Sequence, residues 1–259
     1  EAVAWIAARK DVLSGLFFML ALLAYVRHVE KPSAGRMALV SALMLAGLLA
    51  KAILIVLPPL LLLLDVWPLK RARWPWGRGA WKEWRPLIAE KRLPIVLAAV
   101  FMGINLFTHT TGRGEGLPVS MASRLGMIAP NYLAYLGKIA VPIRLSIFYP
   151  ENDVVSWPFS WAALAVLAVV TWGILGQREK RPYVAVGWLW FLIALFPVIR
   201  GIRMGLAQYA NRWTYLPLIG AGLALVWTAA SWSEGNRRRR WILAGVCGGA
   251  LALCLVRTH

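Results

Sequence analysis

Acidic residues are scarce in this chain: 11 Asp and Glu stand against 29 Lys and Arg in 259 residues. Cysteine and histidine are scarcer still, with two Cys and three His. Cys247 and Cys254 sit seven residues apart on one predicted helix, roughly 10 Å along its axis, which is too far for a disulfide within it. No Cys/His spacing of the metal-binding kind occurs, and His28, His109 and His259 are scattered, which argues against a metal site built on them. An internal repeat of the kind that builds inverted transporter halves is also missing. A net charge of +18 would suggest nucleic acid in a soluble domain, but the bases here fall mainly into short loops between apolar runs. That distribution suits loop orientation in a membrane, with no nucleic-acid partner.

What is present in quantity is apolar side chain, 60% of the residues, with 15 Trp. Residues 12–26 carry no charge. Further apolar runs cover 37–50, 53–64, 93–107, 161–176, 183–199, 213–230 and 241–256, approaching or reaching the ~20 residues a helical span needs. The composition therefore predicts an all-α polytopic membrane protein whose spans are completed at the interface by Trp and Arg. Four basic groups set the orientation: Arg27, Lys31 and Arg36; the bases of 70–92; Arg178, Lys180 and Arg181; and 237–240. Placing all four in the cytoplasm closes with about eight crossings. It brings Asp11, Lys51, segment 108–160 and loop 200–212 to the outer face. Within 108–160, residues 124–141 have a helical pattern interrupted by Tyr132, Tyr135 and Lys138. A crossing there would reverse every later loop, so it is expected to lie in the outer interface or to be re-entrant.

Several charges stand where lipid would make them costly. Arg9, Lys10 and Asp11 immediately precede the first apolar run. They serve either as interfacial anchors, with Arg9 and Asp11 pairing locally, or as a polar site at the membrane surface. Lys51 separates two apolar runs with no loop around it, so its ammonium either snorkels to head groups or meets a partner. Pro58 and Pro59 are expected to kink the following span. Residues 71–85 interleave Trp74, Trp76, Trp81 and Trp84 with bases, as a segment lying on anionic lipid would. Arg200, Arg203 and Arg212 break the inside-positive pattern by clustering on the outer face. Guanidinium groups there either touch lipid head groups or grip phosphate oxygens.

The residues that carry a family likeness are Glu1 to Ser14, Leu48-Leu-Ala-Lys51, Leu61-Leu-Leu-Leu-Asp65-Val-Trp-Pro-Leu69, Gly187-Trp-Leu-Trp-Phe191 and Arg212-Trp-Thr-Tyr-Leu-Pro217. In that order they resemble the membrane region of bacterial relatives of the transmembrane O-mannosyltransferase (TMTC-type) proteins, which have the GT-C fold. Two departures occur. Ala52 follows Lys51 where relatives commonly have Pro, and Asn211 stands where relatives have Asp. The resemblance implies an enzyme, a GT-C-type glycosyltransferase using a polyprenyl-phosphate sugar. It also implies that residues 1–259 are a partial transmembrane domain, preceded by further spans and a catalytic acid and followed by tetratricopeptide repeats.

Under this reading the protein moves a sugar, with mannose the first candidate, to a hydroxyl on a protein or envelope glycan. The location would be a bacterial inner membrane with the site facing the periplasm or exterior. Arg9, Lys51 and Arg212 are the candidates for gripping donor phosphate, with Arg200 and Arg203 as further ones. Glu1 and Asp11 are the acids at hand for taking the acceptor proton, Asp11 being expected to orient Arg9. The partners are membrane lipid, the lipid-linked donor and the acceptor, and no cofactor is required. A non-catalytic membrane anchor for a soluble domain and a polyprenyl-lipid transporter are the alternatives.

Overall fold

The computed structural model describes residues 9–77, 79–111, 121–140, 155–201 and 210–258. Among these the secondary structure is entirely helical. The α-helices are α1 (Arg9–Glu30), α2 (Ala34–Ala50), α3 (Leu57–Val66), α4 (Ala80–Glu90), α5 (Arg92–Thr111), α6 (Met121–Ala140), α7 (Trp157–Gly176), α8 (Pro182–Leu195), α9 (Tyr215–Ser233) and α10 (Arg237–Thr258). Three of them, α1, α7 and α9, are long and apolar enough to cross a membrane. Shorter apolar helices cover α2, Ala52–Val66, Arg92–Thr108 and α8.

The faces these helices turn outward are apolar. In α7 only Ser160, Ala163 and Leu167 are buried, while Trp172 is 81% and Val169 67% exposed. An apolar band of that extent has no business in water, and lipid is the solvent that suits it. The core lies between α1, α2, α3 and α8, where Phe18 meets Trp190 edge to face with ring centroids 5.9 Å apart.

Pro58 and Pro59 do not kink the interior of a span as expected. A short 3-10 turn, Ala52–Val56, runs first, and the prolines occupy the first turn of α3. The missing donors cost nothing there, because first-turn N–H groups have no intrahelical acceptor. The Trp-rich segment is folded rather than extended. Its second half is α4, and the first half folds back: Trp74 is buried and stacks on Trp76, and the Trp84 indole donates to Arg73 O at 2.8 Å. Trp76 and Trp81 remain exposed.

α8 and α9 approach backbone to backbone because each has a glycine at the crossing. A Cβ on Gly220 would lie 2.6 Å from Gly187 O and 2.7 Å from Trp190 Cβ, and the Trp190 indole donates to Leu216 O at 2.9 Å. Gly220→Ala is therefore expected to destabilise the protein by ~1–3 kcal/mol, the usual cost of overpacking. Gly173→Ala in α7, where a Cβ meets nothing within 4 Å, should be neutral or stabilising by helix propensity. Thermal melts of the two variants in detergent check the contrast.

Candidate functional site

Helices α1 and α2 form an antiparallel pair, so the start of one and the end of the other share one end of the bundle. Asp11 lies in the first turn of α1 and Lys51 caps α2, each of the charge sign that the adjoining helix terminus favours. Lys51 leaves the helix in an extended conformation (φ −160°, ψ 131°), its N–H still donating to Gly47 O at 2.9 Å. Its ammonium forms an ion pair with Asp11 Oδ1. The two side chains are only 15% and 7% exposed, so the pair is largely removed from solvent. The Asp11 carboxylate is thus paired with Lys51, forty residues away, in place of the expected orientation of Arg9, which is exposed. The second oxygen, Asp11 Oδ2, is buried and has no hydrogen-bond partner among the described residues.

The 3-10 turn that follows Lys51 packs against the π-helical turn Pro197–Gly201, which also receives α6. The tyrosines that interrupt the apolar pattern of α6 explain how. Tyr132 donates to Leu192 O at 2.6 Å. Tyr135, buried, donates to Ala210 O at 3.1 Å and accepts from Ala210 N at 3.0 Å. Both backbone bonds of Ala210 therefore fix the residue that leads into the turn Asn211–Thr214. The backbones of Arg200 and Arg212 belong to these two turns. The side chains of Arg200 and Arg212, together with Glu1 and Arg203, lie outside the described part. Of the sequence-predicted site residues, the structure brings Asp11 and Lys51 together and sets Arg9 apart on the surface.

A second cluster of charges, not anticipated as a unit, joins α1, α3, α4 and Lys91, the residue between α4 and α5, at the other end of this core. Asp65 and Lys91 are fully buried and paired, Nζ to Oδ2 at 2.6 Å. The Tyr25 hydroxyl donates to Asp65 Oδ1 at 2.6 Å. Arg71 reaches Tyr25 Oη at 2.9 Å and Asp65 Oδ1 at 3.1 Å, and holds both Glu90 oxygens at 3.0 and 2.6 Å. Lys91 also donates to Glu90 Oε1 and Leu87 O, each at 3.3 Å. His28 Nε2 stands 3.6 Å from Glu90 Oε2. Two carboxylates against two fixed cations make the cluster electrically balanced, and the Asp65 carbonyl accepts from Arg71 N and Ala72 N to close the loop upon it. Balanced in charge and with a cation on each carboxylate, this cluster is a structural clamp. The sequence signal for it was Asp65 itself, a carboxylate closing a charge-free run, which demands a cation from elsewhere in the fold.

The clamp has a pH signature. Burial would raise the Glu90 pKa, but the Arg71 hydrogen bonds and the Lys91 charge outweigh it and lower the group from 4.5 to about 2. Because the folded-state value is depressed, Glu90 stabilises the fold fully above pH 4.5, and that contribution disappears as pH falls toward 2. Thermal melts should therefore lose stability across this window, and the Glu90→Gln variant, already less stable at neutral pH, should show a shallower decline.

Among the described residues no group of His, Cys, Asp and Glu is arranged to hold a metal ion. No family model, curated protein or solved structure matches this chain.

Proposed function

We propose that this chain is the membrane region of a glycosyltransferase that moves a sugar, with mannose the first candidate, from a polyprenyl-phosphate donor to a hydroxyl on a protein or envelope glycan. The observation that carries the proposal is the Asp11–Lys51 pair: one carboxylate oxygen held by the ammonium, the other buried and without a hydrogen-bond partner among the described residues, with the turn that follows Lys51 packed on the one that contains Arg200. That second oxygen is the atom an acceptor hydroxyl would meet. The acceptor oxygen attacks the anomeric carbon, its proton passes to Asp11, and the bond from that carbon to phosphate oxygen breaks with its electron pair leaving on the polyprenyl phosphate. Lys51 serves twice, as counter-charge to the carboxylate and as a cation within reach of the developing phosphate charge. Arg200 and Arg212, on turns set by α6, are the candidates to share that load. This assigns proton transfer to Asp11 and leaves Arg9 at most an interfacial contact.

The arrangement belongs at a membrane surface. In the proposed topology α1, α2, Ala52–Val66, α5 and α7 to α10 cross, α6 lies in or dips into the outer interface, and the Asp11 end faces the periplasm of a bacterial inner membrane. The resemblance to the O-mannosyltransferase relatives supplies the donor class. The test is radiolabelled sugar transfer from polyprenyl phosphate by the full-length protein. Transfer that requires Lys51 supports the assignment, and absence of transfer with any sugar donor leaves the membrane-anchor reading in its place.

A further inference from the structure

We propose that the groove between α1 and α2, at the turn that joins them, is a binding site for one anionic phospholipid. This groove, of about 580 Å³, is separate from the Asp11–Lys51 end of the same helix pair and does not depend on the glycosyl-transfer reading. Its walls are graded. Leu20 and Leu23 on α1 face Leu39 and Leu43 on α2, and toward the turn the lining changes to Arg27, Lys31 and Arg36. The helical spacing produces this gradient: Leu20, Leu23, Arg27 and Lys31 recur at three- and four-residue steps along one face, as do Arg36, Leu39 and Leu43. Arg27 stands seven residues from Leu20, ~10 Å along the axis, which is the depth over which a phospholipid changes from phosphate to hydrocarbon.

The charge of the site selects the ligand. Three cations face a single carboxylate, Glu30, leaving an excess of two positive charges at the polar end. Arg36 is positioned by two hydrogen bonds from Nη1, to Arg27 O at 2.6 Å and Lys31 O at 3.1 Å, so its guanidinium is tied to the turn before any lipid arrives. Leu23 and Leu39 are 48% and 52% exposed in the open groove, an area that an acyl chain covers. A phosphate anion alone satisfies the cations and leaves the leucines bare. A neutral lipid does the reverse. An anionic glycerophospholipid matches both ends.

Native mass spectrometry of the full-length protein in detergent tests the site, with phosphatidylglycerol and phosphatidylcholine added at equal concentration. The wild type is expected to retain one phosphatidylglycerol in preference to phosphatidylcholine. Arg27→Gln/Lys31→Gln should weaken that retention about thirtyfold, the combined effect of two basic residues at a lipid surface. The side chains of Arg27 and Lys31 are exposed and it is their carbonyls that hold Arg36, so the fold should survive. Leu39→Trp, which fills the apolar end without changing charge, should also lower retention and decides the matter if the double variant does not fold. The charge-matched pair Arg237→Gln/Arg238→Gln on α10 should leave retention unchanged. Equal retention of the two lipids by the wild type, an equal loss in the α10 control, or displacement of the lipid by soluble glycerol phosphate would each overturn the site.

Discussion

Replacing Lys51 with alanine should reduce sugar transfer from polyprenyl phosphate by about 10²–10³, the loss that follows removal of one preorganised charge-stabilising group from a dry site. The same change strips the counter-ion from Asp11, whose side chain is 7% exposed, so a fall in stability will accompany it. The two effects separate in the double variant Asp11→Asn/Lys51→Met, which removes both charges and should recover the melting temperature of the wild type while staying inactive. Recovery of transfer along with stability would show that the pair only fastens α1 to α2, and the catalytic assignment would fail. Asp11→Asn alone should also lose about 10²–10⁴ in rate, as expected for a group that takes a proton in the transition state.

The second large effect is on stability. Lys91→Met should destabilise the protein by ~3–5 kcal/mol, because it leaves Asp65 charged, fully buried and short of its partner. Asp65→Leu should cost a similar amount by stranding Lys91. The double variant is expected to lie near the wild type, since Arg71 and Glu90 still neutralise one another. Denaturation midpoints of the four proteins in one detergent give the coupling directly. Simple additivity of the two losses would show that the pair is not the energetic centre of the clamp.

The helices were legible because charge-free runs longer than a soluble core requires have one solution in lipid, and each predicted run corresponds to an observed helix within a few residues at either end. The pattern at 124–141 gave α6 for the same reason, and its tyrosines, visible as interruptions, proved to be the hydroxyls that anchor neighbouring backbone. Periodicity could not assign partners. Asp11 has Arg9 and Lys10 beside it in the chain, yet its partner comes from the end of the next helix, because antiparallel packing brings position 51 back to position 11. Lys91 looked like one of a run of loop bases, and only the fold shows it fully buried beneath Tyr25, 4.9 Å from the ring centroid. α4 was hidden because its bases and Trp residues, with Pro86 among them, read equally well as a strip of membrane-surface chain. In each case local spacing was ambiguous and a contact distant in sequence resolved it.

The Asp65–Lys91 contact also bears on how the protein is made. Asp65 closes α3 and Lys91 stands between α4 and α5, so their pairing ties the end of one apolar helix to the start of another, and Asp65 has no Lys91 to meet until the chain has been made through residue 91.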